Sequence, residues 1–325
     1  MTEYYRDEQV TLLLGDALEQ LRTLPDGAVD CVVTSPPYYG LRDYGTEGQY
    51  GLEATPVEYV ETMRALFAEA RRVLADDGTL WLNLGDSYAT TASGKPGAAT
   101  TLGGGRRIRE VQVQGSRTKG GDLAQKNLLG IPWRTAFALQ DDGWILRNEI
   151  IWHKPNAMPE SVRDRLSNRH EHLFLLTKNA RYHFDLDAIR QPWKPQSARH
   201  HARYGGRYDT EYGTPGASHG ERASTLHCSA MNPLGRNPGD VWDITTKPYP
   251  AAHFAVFPID LPIRCIKAGC KAGGTVLDPF SGSGTTGAAA RQLGRKYVGI
   301  DLNAGYHDLA KQRFAQGVLD FGGAA

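Results

Sequence analysis

Apolar residues in this chain fall into short blocks separated by polar and glycine-rich turns. Seven blocks have the length and composition of strands: residues 10–14, 29–34, 79–84, 145–152, 173–177, 275–277 and 297–300. Other stretches carry apolar residues at helical spacing. Residues 57–74 form such a helix and stop at Asp76-Asp77-Gly78, residues 132–141 and 259–268 form two more, and Ala288-Ala289-Ala290 begins another. Strands alternating with helices predict an α/β fold, with a mostly parallel sheet covered on both faces.

Two stretches break this rhythm. Residues 91–127 are rich in Gly, Ser and Thr and lack periodicity, which reads as a long mobile loop. From Gly94 to Lys126 the loop carries Lys95, Arg106, Arg107, Arg109, Arg117, Lys119 and Lys126 against Glu110 and Asp122. It is either a solvated insertion or a phosphate-contacting loop that orders on nucleic acid. Residues 191–245 are dominated by His, Arg, Tyr, Gly and Pro, as in Arg199-His200-His201-Ala202-Arg203-Tyr204. That mixture suits phosphates and unstacked bases, or else an irregular surface insertion. The local charge matters more here than the overall net charge of +1.

The densest chemical signal is Asp278-Pro279-Phe280-Ser281-Gly282-Ser283-Gly284-Thr285-Thr286-Gly287, between a strand and a helix. Gly282, Gly284 and Gly287 spell the nucleotide-binding turn of a doubly wound sheet. The next strand ends in Asp301, at the distance expected of a ribose-binding carboxylate. A dinucleotide would put its pyrophosphate at the helix N-terminus, where Asp278 would repel it. The ammonium of S-adenosylmethionine would be attracted instead. A P-loop is excluded, because no Lys precedes Thr285-Thr286. An NAD-dependent dehydrogenase remains an alternative on this segment alone.

A second motif, Thr34-Ser35-Pro36-Pro37-Tyr38, ends the strand 29–34 in a rigid turn with an aromatic beside it. Together the two motifs resemble the DNA amino-methyltransferases, with Ser35, Pro36, Pro37 and Tyr38 similar to their catalytic tetrapeptide. Leu14-Gly15-Asp16 is similar to the family's adenine-contacting segment, and His253-Phe254 to the segment before the cofactor loop. The catalytic motif precedes the cofactor motif, which resembles the permuted beta class. The resemblance implies a Rossmann-like sheet whose catalytic half is residues 1–190. It also implies an inserted target-recognition region over 191–245 and a cofactor-binding half over 246–325. The implied cofactor is S-adenosyl-L-methionine, held by Asp16, Phe254, Asp278, Phe280, Gly282, Gly284, Thr285, Thr286, Asp301 and Leu302.

The implied activity is methylation of an exocyclic amine on a flipped base in double-stranded DNA. Ser35 leans the expectation towards cytosine N4, with adenine N6 as the alternative. The amine lone pair is delocalised into the ring, and acceptors at its hydrogens free it for attack. Ser35 Oγ and the Pro36 carbonyl are suited to that role, with Tyr38 stacked on the base. Methylation at cytosine carbon 5 needs a Cys nucleophile, usually in a Pro-Cys pair, and the sequence has none. Cys31 reads as a small buried apolar residue. His170-Glu171-His172 reads as packing on a strand, so no metal is expected. The four Cys make no disulfide framework. With no signal peptide or long apolar run, a cytoplasmic location without membrane attachment is expected. A cognate restriction endonuclease is a possible partner. DNA target and oligomeric state are not encoded legibly.

Overall fold

A computed structural model describes residues 2–43, 45–90, 120–193, 232–246 and 257–320. The chain divides into two compact units, Met1–Phe184 with Asp240–Ala325, and Asp185–Gly239. The first unit is built on a nine-stranded sheet among the described residues. Its strands are β1 (Glu3–Arg6), β2 (Val10–Leu14), β3 (Val29–Thr34), β4 (Leu74–Leu84), β5 (Ile145–His153), β6 (His170–Thr177), β7 (Val241–Asp243), β8 (Thr275–Asp278) and β9 (Lys296–Asp301). They lie in the order β1-β2-β9-β8-β3-β4-β6-β5-β7. The run from β2 to β4 is parallel throughout. Towards the edges, β6 is antiparallel to both β4 and β5, and β1 is antiparallel to β2. All seven expected strands are present, and the sheet is mixed rather than parallel across its width.

Six helices accompany the sheet among the described residues: α1 (Ala17–Thr23), α2 (Pro56–Val73), α3 (Ile131–Asp141), α4 (Asp260–Gly269), α5 (Thr285–Gln292) and α6 (Ala304–Asp320). The α2 helix shows how sequence makes element. Thr55 caps its first turn by accepting from Glu58 N at 3.2 Å, and Pro56 occupies the first turn without losing a needed donor. Tyr59, Met63, Leu66, Phe67, Ala70 and Val73 then form one buried face. They pack in a core with Leu80, Leu82 and Leu84 from one side of β4. Each large aliphatic side chain buried there contributes about 1.5–3 kcal/mol. The opposite side of β4 carries Thr79, Trp81 and Asn83, all buried. There Thr79 Oγ1 donates to the Gly269 carbonyl of α4 at 3.0 Å.

The second unit overlaps the expected recognition insertion, 191–245, without sharing its bounds, since Val241–Asp243 add to the sheet beside β5. Its described part holds a single helical turn, Asp187–Ile189, and an antiparallel bridge between Gln191 and Arg236. The side chains of that bridge also meet, with Arg236 Nη2 donating to Gln191 Oε1 at 2.5 Å.

Candidate active site

The parallel strands deliver three carboxylates to one end of the sheet. Asp278 closes β8, Asp301 closes β9, and Asp16 follows the end of the adjacent β2. Ligands of doubly wound sheets bind at this carboxyl end. Asp16 caps α1 by accepting from Glu19 N at 2.9 Å, and its second oxygen accepts from the Tyr50 hydroxyl at 2.8 Å. The Phe280 ring meets Tyr50 edge-on, 5.2 Å between centroids.

The glycine turn is held by its own acids. Asp301 Oδ2 accepts from Gly282 N at 2.8 Å and Oδ1 from Asn303 N at 2.8 Å. Burial raises the Asp301 carboxyl above its ordinary value, against the lowering effect of those two N–H donors. Gly284 has φ +75°, a left-handed conformation that favours glycine, and it opens α5. A methyl group there would sit 2.7 Å from Ala310 Cβ and 2.9 Å from Phe314 Cζ, so α6 closes over the back of the turn. Arg313 of α6 donates to the Thr285 hydroxyl.

Asp278 is 2% exposed, and both its oxygens are used. Oδ1 accepts from Thr34 Oγ1 at 2.7 Å and Phe280 N at 3.0 Å, and Oδ2 accepts from Thr286 Oγ1 at 2.8 Å. Burial outweighs these donors and pushes its pKa up to about 6. The Asp expected to face a cofactor ammonium therefore also ties β8 to β3 and α5.

Ser35, Pro36, Pro37 and Tyr38 leave the carboxyl end of β3 beside this turn. The Tyr59 hydroxyl donates to the Pro37 carbonyl at 3.0 Å. The Tyr38 ring lies on Gly85, where a methyl group would come 2.5 Å from Cε2. Ser35 Oγ donates to the Tyr38 hydroxyl at 3.2 Å, and Tyr38 donates to Glu171 Oε2 at 2.6 Å. Asn83 Nδ2 donates to Tyr38 at 2.7 Å and to Glu171 Oε2 at 2.8 Å, and Lys154 pairs with Glu171 Oε1. Burial and the Glu171 charge hold the Tyr38 phenol well above its ordinary pKa.

Sequence reasoning missed Asn83, Glu171, Lys154, Tyr50, Gly85 and Arg313. A signal existed for Glu171: on a strand, it faces the opposite side from His170 and His172. Of the expected cofactor residues, Leu302 is half-buried next to Asp301, and Phe254 lies outside the described residues. Among the described residues no group of His, Cys, Asp or Glu is placed to hold a metal, and no helix is long and apolar enough to cross a membrane. Cys31 is fully buried and its thiol pKa is raised by that burial.

The residues at this end of the sheet fit S-adenosyl-L-methionine. Carboxylates suit a ribose diol and an ammonium, Tyr50 and Phe280 offer aromatic surface, and at Gly282 a methyl group would meet only the Phe280 carbonyl, at 4.0 Å. The sequence pattern of a family described as DNA methylase matches residues 29–312. The Type II methyltransferase M.Cfr9I of Citrobacter freundii is 45% identical over 303 residues, covering 93% of this chain and 87% of the relative. Two solved structures share the fold. PvuII DNA methyltransferase (cytosine-N4-specific) has a TM-score of 0.62 at 18% identity, covering 96% of this chain and 89% of its own. A putative DNA modification methylase of Thermus thermophilus, TTHA0409, solved with S-adenosyl-L-methionine, has a TM-score of 0.56 at 23% identity, covering 95% and 96%. The chain belongs to the DNA methylase family and is an S-adenosyl-L-methionine-dependent methyltransferase of exocyclic amines in DNA.

Proposed function

We propose that this enzyme methylates the N4 amine of a cytosine within a specific sequence of double-stranded DNA. One observation carries the reading: the 2.7 Å bond from Thr34 to Asp278 fixes the proline turn against the cofactor turn. Bound S-adenosyl-L-methionine supplies an electrophilic methyl group. The chain supplies geometry and electrostatics for an in-line transfer, with no covalent attachment to the protein. Ser35 Oγ and the Pro36 carbonyl accept the two amine hydrogens, and Tyr38 lies against the base. Asp301 takes the ribose hydroxyls, Asp16 and Phe280 flank the adenine side, and Asp278 provides negative charge towards the methionine end. Gly282, Gly284, Thr285, Thr286, Leu302 and Phe254 complete the cofactor's surroundings.

The choice of cytosine rests on the Ser hydroxyl at the first position of the tetrapeptide. The thiol route to 5-methylcytosine is disfavoured by the sealed position of Cys31 and the missing Pro-Cys pair. The segment 191–245 reads the target, and the basic loop 91–127 holds the phosphates. The enzyme protects its sites from a paired restriction endonuclease in the cytoplasm. The test is to treat unmethylated DNA with enzyme and cofactor, digest it, and weigh the nucleosides. N4-methylcytosine is expected. N6-methyladenine would overturn the choice of base, and 5-methylcytosine would overturn the mechanism.

A further inference from the structure

The side chains behind Ser35 form a hydrogen-bond chain whose direction is dictated from its far end. The Glu171 carboxylate, paired with Lys154, can only accept. Tyr38 must therefore spend its one hydrogen on Glu171, at 2.6 Å. The Tyr38 oxygen is then left as an acceptor. It takes one hydrogen from Asn83 Nδ2 at 2.7 Å and one from Ser35 Oγ at 3.2 Å. With its only hydrogen turned inward, and only a long 3.4 Å contact from Asn83 Nδ2 on its inner side, Ser35 Oγ keeps a lone pair to accept from outside. Asn83 reports the same polarity. Its amide nitrogen faces Glu171 and Tyr38, and its Oδ1 is left buried with no partner among the described residues. Turning the amide over would satisfy neither acceptor and would set oxygen against carboxylate. Lys154 is anchored as well, with Nζ 4.4 Å from the Trp152 ring centre.

We propose that Glu171, backed by Lys154, is a positioning residue that acts through Tyr38 to fix the Ser35 hydroxyl as an acceptor for the target amine. This rests on the reading of Ser35 as the amine's acceptor. Without the carboxylate, the Ser35 hydrogen can rotate outward and meet an amine hydrogen head-on. The pair comes from β6 and from the residue just after β5, two neighbouring strands, so sheet register sets its position.

The test uses the full chain, tritiated S-adenosyl-L-methionine and PCR-amplified unmethylated genomic DNA, with enzyme in excess to isolate the transfer step. Glu171→Gln keeps the shape but can donate as well as accept, and Tyr38→Phe removes the middle of the chain. Each is expected to slow transfer about tenfold to a hundredfold. Cofactor affinity by calorimetry and DNA affinity should stay at wild-type values. The double variant should be no slower than Tyr38→Phe, because the other route from Glu171 to Ser35, through Asn83 Nδ2, closes on Ser35 Oγ at only 3.4 Å. A wild-type rate in Glu171→Gln, or losses that multiply in the double variant, would overturn the proposal. Ser35→Ala separates the two layers. A wild-type rate there overturns the acceptor reading and the proposal with it, whereas a slow Ser35→Ala beside a normal Glu171→Gln overturns the proposal alone. Should Glu171→Gln fail to fold, Tyr38→Phe is combined with Ser35→Ala. That pair should be no slower than Ser35→Ala, and a multiplied loss overturns the proposal.

Discussion

Thr34 and Asp278, 244 residues apart in sequence, share a buried hydrogen bond of 2.7 Å. It joins the last residue of one strand to the last residue of its neighbour, directly behind the two motifs that define the enzyme. Thr34→Val keeps the shape and removes the donor, leaving part of a buried carboxylate unsatisfied. The expected cost is about 1–3 kcal/mol of stability, with weaker cofactor binding as well. Chemical denaturation with and without cofactor measures both.

The Asp278 carboxyl, at about 6, lies above its ordinary 3.8. The native state therefore holds this proton more tightly than the unfolded state does. Its contribution to stability is full below about pH 4 and is lost as pH rises through about 6, up to about 3 kcal/mol. Compared with Asp278→Asn, the wild type should lose stability over that window and run parallel above it. Melting curves from pH 4 to pH 7.5 would reveal a constant gap if Asp278 does not titrate there.

Removing the carboxylate of Asp301 takes away a proposed ribose acceptor and the clasp on Gly282 N. Asp301→Ala should weaken cofactor binding by about 1.5–3 kcal/mol. Unchanged affinity by calorimetry in a folded variant would remove Asp301 from the site.

Gly284→Ala strains a left-handed residue and drives a methyl group into Ala310 and Phe314. A loss of about 1–3 kcal/mol is expected. The thermal shift induced by cofactor should shrink as well, because the turn must move to relieve the overlap. A variant that melts like wild type would mean that α6 yields freely.

Arg106, Arg107 and Arg109 lie outside the described residues, so the proposal for them comes from charge alone. Replacing all three with Ala should weaken DNA binding and flatten its salt dependence, each lost phosphate contact lowering the slope by about 0.9. Cofactor affinity should not change. Equal DNA affinity at low salt would make the loop a solvated insertion.

The central strands and the two motif turns were legible because burial on both faces demands continuous apolar runs and the turns demand Gly and Pro. The edges were not. The first strand, Glu3–Arg6, is largely exposed and polar, and Val241–Asp243 is too short for any period to register. The helix Ala17–Thr23 is short, and its one start signal, Asp16 and Glu19 at capping-box spacing, coincides with a cofactor candidate that masks it. The last helix carries a short stripe, with His307, Ala310 and Phe314 buried at helical spacing, but a His and an Ala among its members weaken the apolar signal. The Glu171 network was invisible for a different reason. Its members come from four segments, and only register brings them together.

The interleaving of β2 between β1 and β9 has a consequence for biosynthesis. The hairpin made of β1 and β2 is translated before the other strands of the described sheet, and its parallel partner after them. Until β9 arrives, β2 offers an open apolar edge, and Asp16 has no Asp301 beside it. On the proposed role of Asp301, methyl-donor capture therefore waits for β9. A ribosome stalled before residue 296 would hold a nascent chain that carries the proposed catalytic tetrapeptide without the proposed ribose carboxylate.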